Sequence, residues 1–193
     1  MKPKKSKKFI IEIPKFFDCH RHLRGHPVPK GDKSEDILET EMLGSVTTDG
    51  LSLFSRVVVM PNTNPPVRTA GEATIYKKRI TGVSDDLPEL LLTIQITEKT
   101  TSAIIEEGKK SGVFAGKVYP ASCQTNAVET ISDFSSRKFL AVLKKMERLQ
   151  MPLLIHCDDP FVFDGGFMSI TDKLMQNFPN LLVVLEHIAR ASV

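Results

Sequence analysis

Four of the five histidines in this sequence have the positions expected of metal ligands. His20 and His22 are two residues apart, and His156 and His187 each end a short apolar run. Because alternate residues of a β-strand point to the same face, the two imidazoles of the first pair project to one side. Imidazole is a common zinc ligand, and ligands drawn from several strand ends leave a coordination position for water. The pattern therefore predicts a hydrolytic metal site.

Lys117 also ends an apolar run and can complete the ligand set of the four histidines. A lysine buried among imidazoles has a lowered ammonium pKa, so its free amine can react with carbon dioxide. The resulting carbamate is anionic and offers two oxygens, which can bridge two metal ions. An ordinary lysine that extends to solvent at a sheet edge fits the same position, and one His-x-His pair alone is weak evidence. The five residues together favour a two-metal site.

The elements that would position these residues alternate between apolar strands and amphipathic helices, which predicts an α/β fold with a parallel sheet. In such folds the carboxyl ends of the strands carry the chemistry, and the candidate ligands fall at those ends. Gly82 and Gly112 stand where helix C-caps are expected. The predicted strands cover residues 9–13, 16–22, 56–60, 89–96, 114–119, 153–156 and 181–187. The best-defined helices cover about residues 71–82, 101–112 and 135–150.

Composition is that of a globular protein, with 41% hydrophobic and 25% charged residues. No apolar run is long enough to cross a bilayer, so no membrane role is predicted. Five lysines lie in residues 1–8, and removing them from the 26 basic residues leaves 21 against 23 acidic ones. We interpret residues 1–8 as a basic, solvated N-terminal tail and residues 9–193 as one domain. A nucleic-acid arm or a localisation signal also fits the lysine run, but no basic helix follows it, so no nucleic-acid partner is predicted.

The cysteines indicate the redox environment. Cys19, Cys123 and Cys157 are odd in number and lack CxxC spacing. A disulfide framework is therefore not expected, and a reducing cytoplasm fits best.

Several segments of the chain resemble dihydroorotase, in the shorter bacterial-type branch of the amidohydrolase superfamily. The resemblance runs along nearly the whole chain, and the segments occur in the family's order and spacing. They are DCHRHLR (residues 18–24), VMPNTNPPV (59–67), KVYPA (117–121), MPLLIH (151–156) and LEHI (185–188).

The resemblance implies a reaction and a ligand set. The reaction is the reversible, zinc-dependent cyclisation of N-carbamoyl-L-aspartate to dihydroorotate in pyrimidine biosynthesis. By the same resemblance, one Zn2+ binds to the first histidine pair and a second Zn2+ to the other two histidines, with carboxylated Lys117 as the bridge. Arg24 and Asn62 would hold the substrate carboxylate, as suits a guanidinium fork and an amide donor. Thr125, in a loop over residues 122–126, would contact the substrate, although a plain polar turn fits that loop equally.

One functional residue of the family is not found in this sequence. Family members use an aspartate at the end of the eighth barrel strand as a zinc ligand and acid–base group, so the catalytic residue is unknown here. A TIM barrel needs about 250 residues, and this length predicts an incomplete TIM barrel of the metal-dependent hydrolase type, with about six of the eight βα units. Unclosed strand edges favour association, as a homodimer or with a complementing C-terminal chain.

Three functions fit this pattern. The first is a C-terminally truncated dihydroorotase, or one completed by a separate chain; the isolated chain is then expected to be nearly inactive. The second is another cyclic amidase, such as a hydantoinase-like one, but Arg24 and Asn62 call for a carboxylate on the substrate. The third is a catalytically inactive dihydroorotase-like chain that binds metal or supports an assembly.

Overall fold

Six parallel β-strands form one sheet, in which the strand order follows the chain. The structure is a computed structural model that describes residues 12–23, 54–63, 65–82, 87–120, 130–157 and 166–187. The strands are β1 (Phe16–Arg21), β2 (Phe54–Val59), β3 (Glu89–Ile96), β4 (Ala115–Val118), β5 (Leu153–His156) and β6 (Val183–Glu186). The helices are α1 (Ala70–Thr81), α2 (Ser102–Lys110), α3 (Arg137–Arg148) and α4 (Gly166–Asn177). The six strands form a half-barrel, which confirms the predicted incomplete TIM barrel.

The two faces of the sheet carry different apolar clusters, because side chains alternate along each strand. The larger cluster joins one face of the sheet to the helices, and it includes Val57, Val59, Ile94, Ile96, Leu153 and Ile155. The smaller cluster lies on the other face and consists of Val58, Met60, Ala115 and Leu154. In the register, Lys117 pairs with Leu154 of β5. Lys117 therefore points to the face of the smaller cluster.

The helices begin and end at residues that their sequences favour. A capping box formed by Thr69 and Glu72 starts α1, and Gly82 is the C-cap of that helix, as predicted. Gly112 follows the end of α2 with a φ of 82°, a left-handed conformation that favours glycine. Helix α3 begins after the N-cap Ser136. The apolar side chains of Phe139, Val142, Leu143 and Met146 recur at helical spacing and are buried against the sheet.

Two features of the amino-terminal region differ from the sequence prediction. Of the strand predicted over residues 9–13, Glu12 and Ile13 are not in a strand, and the rest lies outside the described residues, as does the tail over residues 1–8. The register between β1 and β2 shifts between Asp18 and Arg21, whose partners are Val57 and Val59. Strand β1 therefore contains one residue more than β2 between these two pairs, as in a β-bulge.

The outer strands of the described sheet are β1 and β6, and both carry exposed apolar side chains. Phe16 is 50% exposed at the β1 side, and Leu182, next to β6, is 63% exposed. Such edges can pair with further strands. None of the helices in the described ranges is long and apolar enough to span a membrane.

Candidate metal centre

The five predicted ligand side chains come together at the carboxyl end of the sheet. His20 lies near the carboxyl end of β1, Lys117 lies in β4, and His156 is the last residue of β5. The ring of His187, which follows β6, lies 4.6 Å from the ring of His20 and 4.7 Å from that of His156, measured between centroids. His22 completes the group, with its ring centroid 4.8 Å from that of His20. Strands that are far apart in sequence therefore contribute to one site.

The two histidines at the end of β1 face each other through their Nε2 atoms, which are 2.9 Å apart. The extra residue in β1 lies between Asp18 and Arg21 and resets the alternation of side chains just before this pair. Arg21 pairs with Val59, which belongs to the helix-facing cluster. His20 and His22, on either side of Arg21, therefore point to the opposite face.

Each imidazole of this pair contacts another side chain through its Nδ1 atom, while the Nε2 atom faces the other imidazole. The Nδ1 atom of His22 is 2.8 Å from Oδ1 of Asn62, which is buried and follows β2. An amide oxygen only accepts hydrogen bonds, so His22 donates through Nδ1 and keeps a lone pair on Nε2. The Nδ1 atom of His20 lies 3.0 Å from Oε1 of Glu186, as a charge contact rather than a well-aligned hydrogen bond. The nearby carboxylate favours a proton on that Nδ1 as well, and in this tautomer the Nε2 lone pair of His20 faces His22.

Two lone pairs at this distance repel each other unless a cation lies between them. A proton cannot act as this cation at neutral pH. Burial, and to a smaller extent the charge of Lys117, lower the pKa of His20 to about 4, so the ring is not protonated there. A zinc ion bound at about 2.0–2.1 Å from each nitrogen sets two tetrahedral ligands about 3.3 Å apart. The separation of 2.9 Å between the Nε2 atoms is close to that value. The donor set at the end of β1 therefore fits a metal ion.

Lys117 is fully buried, and its ammonium group contacts the carboxylate of Glu186. Its Nζ also lies 5.1 Å from the centre of the Tyr119 ring. Burial lowers the pKa of Lys117 to about 7 against an opposing effect of Cys157. The neighbouring carboxylate of Glu186 also favours the ammonium form. A substantial amine fraction near neutral pH is the form that can react with carbon dioxide.

His156 and His187 form the other half of the group. His156 also packs near Tyr119, with 5.6 Å between the ring centroids. His187 has a φ of 62°. Positive φ is uncommon for residues other than glycine, and such residues cluster at functional sites. In this backbone conformation the ring of His187 lies beside the rings of His20 and His156.

Glu186 is the site residue that sequence reasoning missed. Its side chain is only 7% exposed, and it contacts two of the five predicted ligands. The signal was present in the sequence, since an acid ends the apolar run of β6 directly before a candidate ligand. Of the predicted substrate contacts, Asn62 lies at the site, whereas Arg24 and Thr125 lie outside the described residues.

A parallel half-barrel backed by helices, with polar side chains gathered at the carboxyl ends of its strands, defines a protein of the TIM-barrel class. No protein-family model matches the sequence. Curated relatives do match it. The chain is 35% identical over 181 residues to a dihydroorotase of Agrobacterium fabrum, covering 89% of this chain and 48% of that protein. It is also 35% identical over 181 residues to a mitochondrial dihydroorotase of Arabidopsis thaliana, covering 89% and 44%.

Solved structures give the same relationship. A dihydroorotase structure from Campylobacter jejuni matches with a TM-score of 0.74 and 29% identity, covering 91% of this chain and 48% of that one. The chain is therefore similar to dihydroorotases in sequence and in fold, as its motifs predicted. It spans about half the length of the curated relatives it matches.

Proposed function

We propose that this chain forms the zinc-binding part of a dihydroorotase, which interconverts N-carbamoyl-L-aspartate and dihydroorotate. The observation that carries the proposal is the gathering of four histidines and a buried lysine, from four strands, at one mouth of the half-barrel. The similarity to curated dihydroorotases supports the choice of reaction within the TIM-barrel class.

In the proposed ligand set, His20 and His22 bind one zinc ion, and His156 and His187 bind the other. Lys117 lies between the two pairs as a carbamate, made when its Nζ bonds to the carbon of carbon dioxide and releases a proton. When bound, two zinc ions supply a hydroxide nucleophile at neutral pH and polarise the carbonyl of the substrate. Buried Asn62 keeps His22 in the tautomer that offers Nε2 to the metal.

Substrate recognition is proposed to come from the side of the first histidine pair. Asn62 accepts from His22 through Oδ1, so its Nδ2 is the atom that donates to a substrate carboxylate. Arg24 supplies the bidentate partner for that carboxylate, and Thr125 supplies a further hydrogen bond. Fixing the carboxylate at a distance from the reacting carbonyl orients the carbonyl over the metal pair. No acid–base residue is assigned among residues 1–193.

The assembly and location follow from the same proposal. The exposed apolar side chains at β1 and β6 support closure of the sheet by further strands, from a complementing C-terminal chain or in a homodimer. A cytoplasmic location agrees with the cysteine pattern, whereas the plant relatives are named as mitochondrial. Fractionation of cells that produce the protein distinguishes the two locations.

The test of the metal site is metal analysis of the purified chain. We expect about two zinc ions per chain by elemental mass spectrometry, the number of a two-metal site. His187→Asn should retain about one, because it removes a ligand of only one ion. His26→Asn alters the fifth histidine, which is outside the ligand set, and serves as the matched control that keeps both. Equal zinc content in the two variants would contradict the ligand set.

The test of the reaction is formation of dihydroorotate from N-carbamoyl-L-aspartate. The zinc-loaded chain is assayed alone and mixed with the carboxyl-terminal half of a curated relative. We expect the mixture to form dihydroorotate. A mixture that contains the His187→Asn variant in place of the wild-type chain should form none. A mixture that binds zinc and closes into a stable complex, yet produces no dihydroorotate, would refute the proposed reaction.

A further inference from the structure

We infer that Glu186 is a positioning residue, which orients His20 for metal binding and holds the Lys117 side chain at the site in the metal-free protein; the inference rests on the proposed metal site. Its Oε1 lies 3.0 Å from Nδ1 of His20, and its Oε2 contacts Nζ of Lys117. One side chain on β6 therefore links a ligand from β1 with a ligand from β4.

The burial of Glu186 calls for a reason. The side chain is 7% exposed, and the residue follows the apolar residues Val183, Val184 and Leu185. A buried carboxylate is unfavourable unless it is paired and hydrogen-bonded. An apolar residue at this position would fill the same space without that cost. The negative charge of Glu186 is therefore explained by its contacts with His20 and Lys117, two of the proposed ligands.

The contact with His20 selects a tautomer. A carboxylate beside Nδ1 favours the proton on that nitrogen, so the lone pair of Nε2 points towards Nε2 of His22. Asn62 likewise favours the proton on Nδ1 of His22, because its Oδ1 accepts a hydrogen bond from that nitrogen. The two outer partners together turn both Nε2 atoms to a common point. Loss of such an outer partner typically weakens metal binding about 10–100-fold.

A different arrangement would make Glu186 itself a metal ligand. Ligand atoms of His20, Glu186 and His187 lie within 4.8 Å of one another. A metal there would share the Nδ1 side of His20 with the carboxylate, whereas Nε2 of the same ring faces His22 at 2.9 Å. The pairing of the two Nε2 atoms places the metal on the other side of the ring, and Glu186 behind the ligand.

The experiment replaces Glu186 with glutamine and titrates the metal-depleted chain with Co2+, whose visible spectrum reports its ligands. For Glu186→Gln we expect Co2+ affinity to fall about 10–100-fold, while the band positions and intensities at saturation stay those of the wild type. Glu106→Gln changes a surface acid that pairs with Lys110 and Lys145, and it is the control that leaves the affinity unchanged. An unchanged affinity in Glu186→Gln, or a spectrum that shows a lost ligand, would overturn the inference.

A second measurement does not depend on the variant or on metal binding. Nitrogen-15 NMR of the metal-free wild-type protein distinguishes the two tautomers of each histidine. We expect His20 to carry its proton on Nδ1, and a proton on Nε2 would overturn the role of Glu186. If the wild type binds Co2+ but His20 carries its proton on Nε2, the positioning role of Glu186 fails while the proposed metal site stands; if it binds no Co2+, the proposed metal site fails and the positioning role fails with it.

Discussion

Replacement of Lys117 by methionine should strongly destabilise the metal-free protein. The lysine side chain is fully buried and the Glu186 side chain is 7% exposed. Methionine keeps the unbranched shape but removes the ammonium, so the buried carboxylate loses the cation that contacts it. Breaking a buried pair by removing one partner costs about 3–5 kcal/mol. With a urea slope of about 2 kcal/mol/M, a loss of about 4 kcal/mol lowers the unfolding midpoint by about 2 M.

The assay is urea unfolding in the presence of a chelator at pH 6, where the ammonium form of Lys117 dominates. Lys117→Met/Glu186→Met removes both charges, and it should recover most of the lost stability, because an apolar pair of similar volume is often as stable as a buried ion pair. Lys110→Met is the matched control in the exposed Lys110–Glu106 pair, with an expected loss of about 0.3–0.5 kcal/mol. A loss below about 1 kcal/mol for Lys117→Met, or a double variant as unstable as the sum of the single ones, would refute the reasoning.

The remaining predictions concern packing, capping and substrate binding. Gly116→Ala should destabilise the protein by about 1–3 kcal/mol, because the new Cβ would lie 2.8 Å from Cδ1 of Ile96. The control Gly71→Ala, whose Cβ has no neighbour nearer than 4.0 Å, should stabilise α1 by up to about 1 kcal/mol; equal midpoints in urea for the two variants would contradict this packing. Thr69→Ala removes the oxygen that accepts from the Glu72 backbone and should cost about 1 kcal/mol, measured by urea unfolding; no loss would show that the capping box is not stabilising. Arg24→Lys keeps the charge but loses the bidentate fork, so it should weaken binding of N-carbamoyl-L-aspartate in calorimetry with zinc content unchanged; an unchanged affinity would remove Arg24 from the site.

Much of the fold could be predicted from the sequence, because its elements have strong local signals. The short apolar run at Val57–Val59 is typical of a buried strand, and the structure has a strand there. The apolar residues from Phe139 to Met146 recur at the helical period, and the structure has a helix there. Strand order also follows, since helical crossovers between successive strands produce a parallel sheet. The placement of candidate ligands at one mouth is a direct consequence of that topology.

The features that were not predicted arise between elements that are distant in sequence. The extra residue in β1 becomes visible only through its pairing with β2. The role inferred for Glu186 depends on contacts with His20 and Lys117, which come from strands that no local pattern connects to β6. Sequence spacing places each side chain on a face, but it does not reveal which side chain on another strand meets it. The contact of Asn62 with His22 belongs to the same group.

The central claim is that the carboxyl mouth of this half-barrel holds two metal ions, and anomalous diffraction at the zinc edge from crystals of the zinc-loaded protein tests it most directly. We predict two peaks about 3.5–4 Å apart. One should lie at zinc–nitrogen distance from Nε2 of His20 and of His22, the other beside His156 and His187, with carbamate density on Lys117 between them. The absence of peaks at this mouth, or a single peak bound by Glu186 and Nδ1 of His20, would contradict the account.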